Sequence, residues 1–406
     1  MNYETGAELL INAIKGFHDD FQKIYGQISL RLDNNNYISI GGNKLISEIT
    51  EDDFIICDIN TGDLGKLFNS LPDVNVWIFA CTECIVNTSD SLEYLSPSLE
   101  DMAHLVGDKL DILPDASPET IIQRTNKTGI FLVKGMGAIA LETNLKKAVA
   151  AINIVEKSCE AHMYGKIMNG PIPIDSEIMS KLRNYFISQY VTSNQEPDVY
   201  YIGFDEEEFA KRTELIEYGK KLVKSGLAYG SWGNLSLRLN EDEMLIKPTS
   251  IDYFEIKPED IVKVNINTLE YGDFRKPSTE TNVHAKVYRD FPNCNAVMHT
   301  HSNAISTFAA SEAGFMWGDN TLSQTIGNVE TCEYAMPGSD ELAENVCNGF
   351  SNTHALIISH HGGIFYADNL ETAFDVANAV EQRAKSIILS SIRASSDAED
   401  NDNSDK

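Results

Sequence analysis

In the run Asn295-Ala-Val-Met-His-Thr-His-Ser302, apolar residues lead directly into His299 and His301. On a strand, successive side chains alternate faces, so both imidazoles project from one side, two strand steps apart. Such a pair is half of a metal site. An isolated His-x-His is more often a satisfied core or surface pair, but this chain offers further ligands: His361 in Ser359-His-His-Gly362 and Glu280 in Pro277-Ser-Thr-Glu280. Three neutral imidazoles suit Zn²⁺, and also accept Co²⁺ or Mn²⁺. A fourth position left to a carboxylate, water or substrate is the pattern of a catalytic site. A metal there polarises a carbonyl or stabilises an enediolate, and Glu280 is placed to act as general base at an acidic C–H. His360 directly precedes His361, and on a strand the two face opposite ways, so only one can be the ligand. His284, four residues after Glu280, reads as a core histidine ahead of an outer partner of the site, and His354 has no assignable partner.

The elements that must hold these residues occur twice. Gly26-Gln-Ile-Ser-Leu-Arg-Leu32 parallels Gly233-Asn-Leu-Ser-Leu-Arg-Leu239, each after an amphipathic stretch of helical spacing. Asp53–Thr61 parallels Asp260–Thr268, and Leu71-Pro-Asp-Val-Asn75 parallels Phe291-Pro-Asn-Cys-Asn295. Near the end of each copy an apolar strand meets a Gly turn and then a helix: Ile130–Gly137 with Asn144-Leu145, and Leu356–Gly362 with Asn369-Leu370. A period this long implies two domains and excludes a solenoid. Aligning the copies puts Phe79 at the position of His299, Cys81 at His301 and Met136 at His361. The first copy also lacks a counterpart of Lys276–His284, so three ligands and one acidic segment are missing together. Gly137 pairs with Gly362, which favours His361 over His360 as the ligand.

The domains read as 1–165 (no metal site), a connecting segment 166–205 with a break at Asn169-Gly-Pro-Ile-Pro173, a short helix near Ser176–Ser188 and a polar linker Thr192–Asp198, then 206–393 with the site. The acidic tail 394–406 lacks large apolar residues and is expected to be disordered. Strands grouped with flanking helices give an α/β, α+β-like class: two tandem domains, each a mainly antiparallel sheet flanked by helices. At 406 residues the chain suffices for two such domains. A formal net charge of −29 argues against nucleic acid and anionic membrane partners. No stretch reaches the roughly 18 apolar residues of a membrane helix, and the N-terminus lacks the pattern of a signal peptide. Seven scattered cysteines are too few for a disulfide scaffold, and Cys81 and Cys84 form a lone CxxC that reads as a reduced pair. The expected location is cytoplasmic.

The second copy resembles the class II aldolase/adducin family. The matching pieces are Gly233-Asn-Leu-Ser236, Leu245-Ile-Lys-Pro-Thr-Ser250, Pro277-Ser-Thr-Glu280, His299-Thr-His301 and His360-His-Gly362, in family order across about 206–392. The first copy resembles the same fold weakly and without the site. The resemblance implies one zinc per chain, in the second domain, on His299, His301 and His361. Glu280 would be a ligand at rest and the base once substrate displaces it. It further implies a phosphate site at Asn234, Thr249, Ser250, Ser278 and Thr279, a grouping of hydroxyls, an amide and turn N–H groups that suits a phosphate. The implied activity is a zinc-dependent aldolase cleaving a ketose 1-phosphate to dihydroxyacetone phosphate and an aldehyde. Rivals are a sugar-phosphate 4-epimerase or dehydratase on the same site, or a non-catalytic assembly module like adducin. The family has Gly where Ser250 stands, so a turn needing positive φ would strain this serine. The aldolases' proton-donating tyrosine is not placed: Tyr334 sits in the structural segment Tyr334-Ala-Met-Pro-Gly338. The aldehyde pocket falls to loops such as Ser311–Asn328. Family rings of four domains lead to a homodimer as the expected assembly.

Overall fold

The structure is a computed structural model that describes residues 1–15, 26–40, 44–125, 128–168, 170–188, 203–272, 275–317, 326–350 and 353–404. Its backbone divides into two compact units, Met1–Met163 with Pro173–Arg183, and Tyr164–Ile172 with Asn184–Lys406. The first contains α1 (Tyr3–Ile14), β1 (Gly26–Arg31), β2 (Asn36–Ile40), β3 (Phe54–Asp58), α2 (Gly62–Ser70), β4 (Val76–Ala80), α3 (Glu83–Ser91), β5 (Tyr94–Leu95), α4 (Glu100–Val106), β6 (Leu110–Leu113), α5 (Pro118–Arg124), β7 (Ile130–Val133) and β8 (Gly137–Glu142). Helix α6 (Leu145–Gly165) leads out of it, and α7 (Ser176–Phe186) returns to it. Its sheet runs β3-β2-β1-β4-β8-β7-β6-β5, antiparallel except for β6–β7. Phe68, Trp77, Phe131 and Ile139 anchor a core under α2 and α5.

The second unit contains α8 (Glu206–Lys224), β9 (Asn234–Arg238), β10 (Glu243–Ile246), β11 (Val262–Asn265), α9 (Thr281–Asp290), β12 (Ala296–Thr300), α10 (Asn303–Ala310), β13 (Glu330–Cys332), α11 (Asp340–Gly349), β14 (Ala355–Ile358), β15 (Gly362–Ala367) and α12 (Leu370–Ser404). Its seven-stranded sheet runs β11-β10-β9-β12-β15-β14-β13, again antiparallel except for one outer pair, β13–β14. Helices α9 and α11 cover one face through Val283, Val287, Leu342 and Val346, packed on Val264, Val297 and Ile358. Helices α8, α10 and α12 cover the other, contacting β9, β12, β14 and β15. Buried on both faces, β12 reads as an unbroken buried run rather than an alternating one.

Two boundaries differ from the sequence reading. Residues 173–183, placed within the connecting segment 166–205, pack as part of the first unit. Ile174, Met179 and Leu182 are buried, and the Arg183 guanidinium donates to the carbonyls of His104 and Leu105. The apolar face of α7 therefore finds a core instead of solvent. The tail expected to be disordered instead continues α12 to Ser404. Extending a helix already packed along its first turns avoids the cost of nucleation, so the segment holds helical backbone without an apolar face of its own. The linker Thr192–Asp198 lies outside the described residues. Among the described residues no helix is long and apolar enough to cross a membrane, and all seven cysteines are free thiols.

Candidate active site

His299 lies near the end of β12, at the centre of the second sheet, opposite Asn234 on β9 and Ile364 on β15. His301 follows just past the strand, on the same face, and its backbone N–H donates to the Leu227 carbonyl at 3.1 Å. His361 arrives from the β14–β15 turn. That turn crosses β12 so closely that a Cβ on Gly362 would stand 2.2 Å from the Thr300 carbonyl oxygen, so only glycine fits there. His360, at φ 59°, absorbs the reversal of the chain. The outcome is a triangle: His299 Nε2 lies 2.8 Å from His301 Nε2 and 3.1 Å from His361 Nε2. His361, not His360, joins the other two; the His360 ring turns to Glu312, 3.2 Å away.

Glu280 occupies the N-cap position of α9. Its carboxylate lies 3.3 Å from His299 Nε2 and 3.7 Å from His361 Nε2. All four side chains are buried. Burial alone would raise the Glu280 pKa, but His299, His361 and the Asn234 amide together pull it below the usual carboxylate value. The Asn234 amide donates to Glu280 Oε2 at 2.7 Å. The turn before Glu280 is braced from behind, because Gly338 of the Tyr334–Gly338 segment approaches the Thr279 carbonyl too closely for any Cβ.

This donor set fits a divalent metal. His299 Nδ1 lies 3.0 Å from the Gly363 carbonyl, which fixes the N–H there and leaves the Nε2 lone pair facing the other imidazoles. Tetrahedral coordination at ordinary Zn–N lengths separates ligand nitrogens by about 3.3 Å, within about half an ångström of the separations seen. Among the described residues these three histidines are the one group of three or more His, Cys, Asp or Glu side chains close enough to share an ion.

The five polar residues expected around a phosphate come from three adjoining segments. Asn234 starts β9, Thr249 and Ser250 form the turn after β10, and Ser278 and Thr279 precede Glu280. The last two segments are tied together: Thr249 N–H donates to the Lys276 carbonyl and Ser278 N–H to the Lys247 carbonyl, each at 3.1 Å. Ser278 Oγ accepts from the Glu280 N–H at 3.3 Å. Ser250 has a φ of 60°, so the turn keeps the left-handed conformation although its residue is not glycine. Asn234, read only as a phosphate contact, also bonds the Glu280 carboxylate. That pairing joins the start of β9 to the N-cap of α9, 46 positions away, which no local sequence pattern reveals.

Sequence reasoning missed three residues. Lys247 is fully buried, its ammonium donating to the carbonyls of Ser231 and Pro248 at 3.1 and 3.2 Å and lying 4.8 Å over the Tyr253 ring. Among the described residues no carboxylate lies within ion-pair distance, and burial pushes its pKa down to about 7 against a smaller upward pull from Asp252. Tyr253 is buried with a hydroxyl that has no hydrogen-bond partner among the described residues. Glu381 on α12 accepts from Ser302 Oγ and from the N–H groups of Ala304 and Ile305 at 2.7, 2.9 and 3.0 Å, fixing the chain just after His301. A lysine inside the apolar run Met244-Leu-Ile-Lys-Pro248 was the available signal for the first. His284 proves to be a core histidine: Nδ1 lies 2.7 Å from Ser236 Oγ, which lies 2.8 Å from Tyr288 OH. Burial, with a smaller contribution from His299, lowers its pKa to about 3.

Comparison with known proteins places this site in a family. The family model described as class II aldolase and adducin N-terminal domain matches residues 213–388. A 5-deoxy-D-ribulose 1-phosphate aldolase of Bacillus thuringiensis is 35% identical over 176 residues, covering 42% of this chain and 81% of that protein. A 3-oxo-tetronate 4-phosphate decarboxylase of Pectobacterium atrosepticum is 31% identical over 184 residues, covering 44% and 84%. An L-fuculose phosphate aldolase of Haemophilus influenzae is 32% identical over 169 residues, covering 41% and 77%. A solved L-fuculose 1-phosphate aldolase is 34% identical and covers 45% of this chain and 86% of its own, with a TM-score of 0.43. Through its second unit, which carries the histidine triangle and Glu280, the chain belongs to the class II aldolase and adducin family.

Proposed function

We propose that the chain is a zinc-dependent aldolase acting on a ketose 1-phosphate, with dihydroxyacetone phosphate and an aldehyde on the other side of the reaction. The observation that carries this reading is the buried Glu280 carboxylate, 3.3 Å from one Nε2 of the histidine triangle and adjoining the hydroxyl-lined turns. His299, His301 and His361 would hold the ion, with Glu280 closing the set until substrate arrives. Bound there, zinc would supply Lewis acidity toward a substrate's carbonyl and hydroxyl oxygens. In the direction of synthesis, Glu280 removes the proton from the carbon next to the carbonyl of dihydroxyacetone phosphate, and the enediolate so formed adds to the aldehyde carbon, whose oxygen takes up a proton to become a hydroxyl as Glu280 gives its own up to solvent. In cleavage Glu280 returns that proton. As a carboxylate it is the group able to accept that proton. Asn234 aims the carboxylate through its amide. Ser250, Ser278, Thr279 and Thr249 take the phosphate, and the Lys247 charge favours an anion there, so binding remote from the reacting carbons positions them.

Proton exchange on dihydroxyacetone phosphate in D₂O, followed by NMR, tests this without knowledge of the aldehyde. The wild type should exchange the proton and Glu280→Ala should not. Metal-loaded wild type that leaves the substrate undeuterated would sink the aldolase reading. A second reading is decarboxylation of a phosphorylated 3-oxo acid, favoured by the Pectobacterium decarboxylase at 31% identity. It would run on the same metal and phosphate contacts, with carbon dioxide leaving in place of the aldehyde. Carbon dioxide release from such an acid, without exchange on dihydroxyacetone phosphate, would select it.

The first unit we read as a degenerate copy of the second. The sheets follow the same order, position for position, from β3 and β11 inward to β6 and β13. Arg31 and Arg238 make matching bonds: Nε to the carbonyl of Val74 or Cys294, and Nη2 to that of Phe68 or Tyr288. Phe79 stands opposite Gln27 as His299 stands opposite Asn234.

A further inference from the structure

Ser250 combines two unfavourable features. Its φ of 60° lies in the left-handed region that L side chains rarely adopt. Its Oγ is shielded from solvent yet has no hydrogen-bond partner among the described residues. A buried hydroxyl without a partner is destabilising, and glycine would remove both costs at once. The turn cannot relax easily, because Thr249 and Ser278 tie it to the segment leading into Glu280. A second buried hydroxyl, Tyr253 OH, also has no partner among the described residues. The nearby ammonium of Lys247 bonds only to carbonyls among the described residues and has no carboxylate within ion-pair distance. The turn thus presents donors and positive charge with no acceptor of matching charge. Costs of this kind persist where a ligand repays them.

We infer that the Ser250 hydroxyl is a specificity-determining contact for the substrate's phosphate, held in a strained conformation that binding compensates. The inference rests on the phosphate reading given above. A backbone N–H would serve an anion in this turn with glycine as well as with serine. The added hydroxyl donates one more bond to a phosphate oxygen, a charge-assisted bond that an unphosphorylated substrate cannot supply. Strain in the free protein is then a price of discrimination.

The test uses the full-length, zinc-loaded chain, with inorganic phosphate as the probe in calorimetric titration and thermal melting without phosphate as the second readout. Ser250→Gly keeps the backbone donors and relieves the strain. Ser250→Ala keeps the strain and removes only the hydroxyl. Phosphate should bind both variants roughly tenfold more weakly than wild type, or worse. Ser250→Gly, which sheds both costs, should melt higher than wild type by about 2–4 °C and higher than Ser250→Ala, which sheds only the unpaired hydroxyl. Phosphate binding as tight in Ser250→Gly as in wild type would overturn the inference and leave the phosphate site standing. A Ser250→Gly protein that melts no higher would overturn the strain argument. A wild type that binds no phosphate would overturn the phosphate reading, and the role of Ser250 with it.

Discussion

At the scale of single residues, the site contains charges held away from water, and their titration should be visible in stability. Lys247 carries the sharpest case. Its pKa falls from 10.5 to about 7 in the folded chain because burial penalises the ammonium. Between pH 7 and 10.5 the unfolded chain therefore binds a proton that the folded chain does not. Stability consequently rises with pH across that window, by up to about 1.4 kcal/mol per pH unit from this group. Lys247→Met should abolish that component. Urea unfolding of wild type and variant at pH 7, 8 and 9 isolates it, since other titrating groups cancel in the difference; parallel stability curves would refute the assignment. His284 acts at the other end of the scale. Its pKa of about 3 lies below the ordinary 6.5, so the unfolded chain binds the extra proton between those values. Its contribution is complete above pH 6.5 and is lost as pH falls toward 3, which makes the second unit acid-sensitive through a residue outside the histidine triangle.

At the scale of elements, what could be read in advance depended on how local each contact was. His299 and His301 were legible because strand alternation is a property of adjacent residues. His361 was legible because the stretch ending at Gly362 reads like the one ending at Gly137, a likeness visible in the sequence alone. The Asn234–Glu280 bond was not, because it joins the start of β9 to the N-cap of α9, 46 positions apart. Glu381 was hidden for the same reason: it lies in mid-helix, 79 positions from Ser302, whose hydroxyl it accepts. Its geometry leads to a prediction. A buried carboxylate receiving two N–H groups at the start of α10 exploits the positive end of the helix, and α10 begins two residues after His301. Glu381→Gln should destabilise the chain by about 2–3 kcal/mol and, by loosening the chain behind His301, weaken zinc binding about tenfold. The first unit supplies the control. Glu156 there accepts from Thr82 at the start of α3, the equivalent contact beside a site with no histidines. Glu156→Gln should lower stability without altering zinc affinity, measured by competition with a chelating dye. Equal affinity in wild type and Glu381→Gln would reduce the Glu381 contact to a purely structural one.

For the whole molecule, the two units share a sheet order but not a donor set, so metal binding should report on one of them alone. In the first unit the positions that the sequence alignment sets against His299, His301 and His361 hold Phe79, Cys81 and Met136. Burial, then the Glu156 charge, raises the Cys81 pKa, which leaves little thiolate at neutral pH to bind an ion. One zinc per 45.1 kDa chain is therefore expected. The tryptophans allow the units to be distinguished. Trp232 stands with its ring 5.7 Å from that of His301, while Trp77 lies in β4 of the first unit, stacked on Phe79. Zinc added to metal-stripped protein should change the intrinsic fluorescence until one equivalent is bound. That change should survive Trp77→Phe and vanish in Trp232→Phe, whose metal content by elemental analysis should stay at one. Saturation at two equivalents, or a response carried by Trp77, would mean that the first unit has kept or acquired a site of its own. Either result would count against reading the first unit as a degenerate copy.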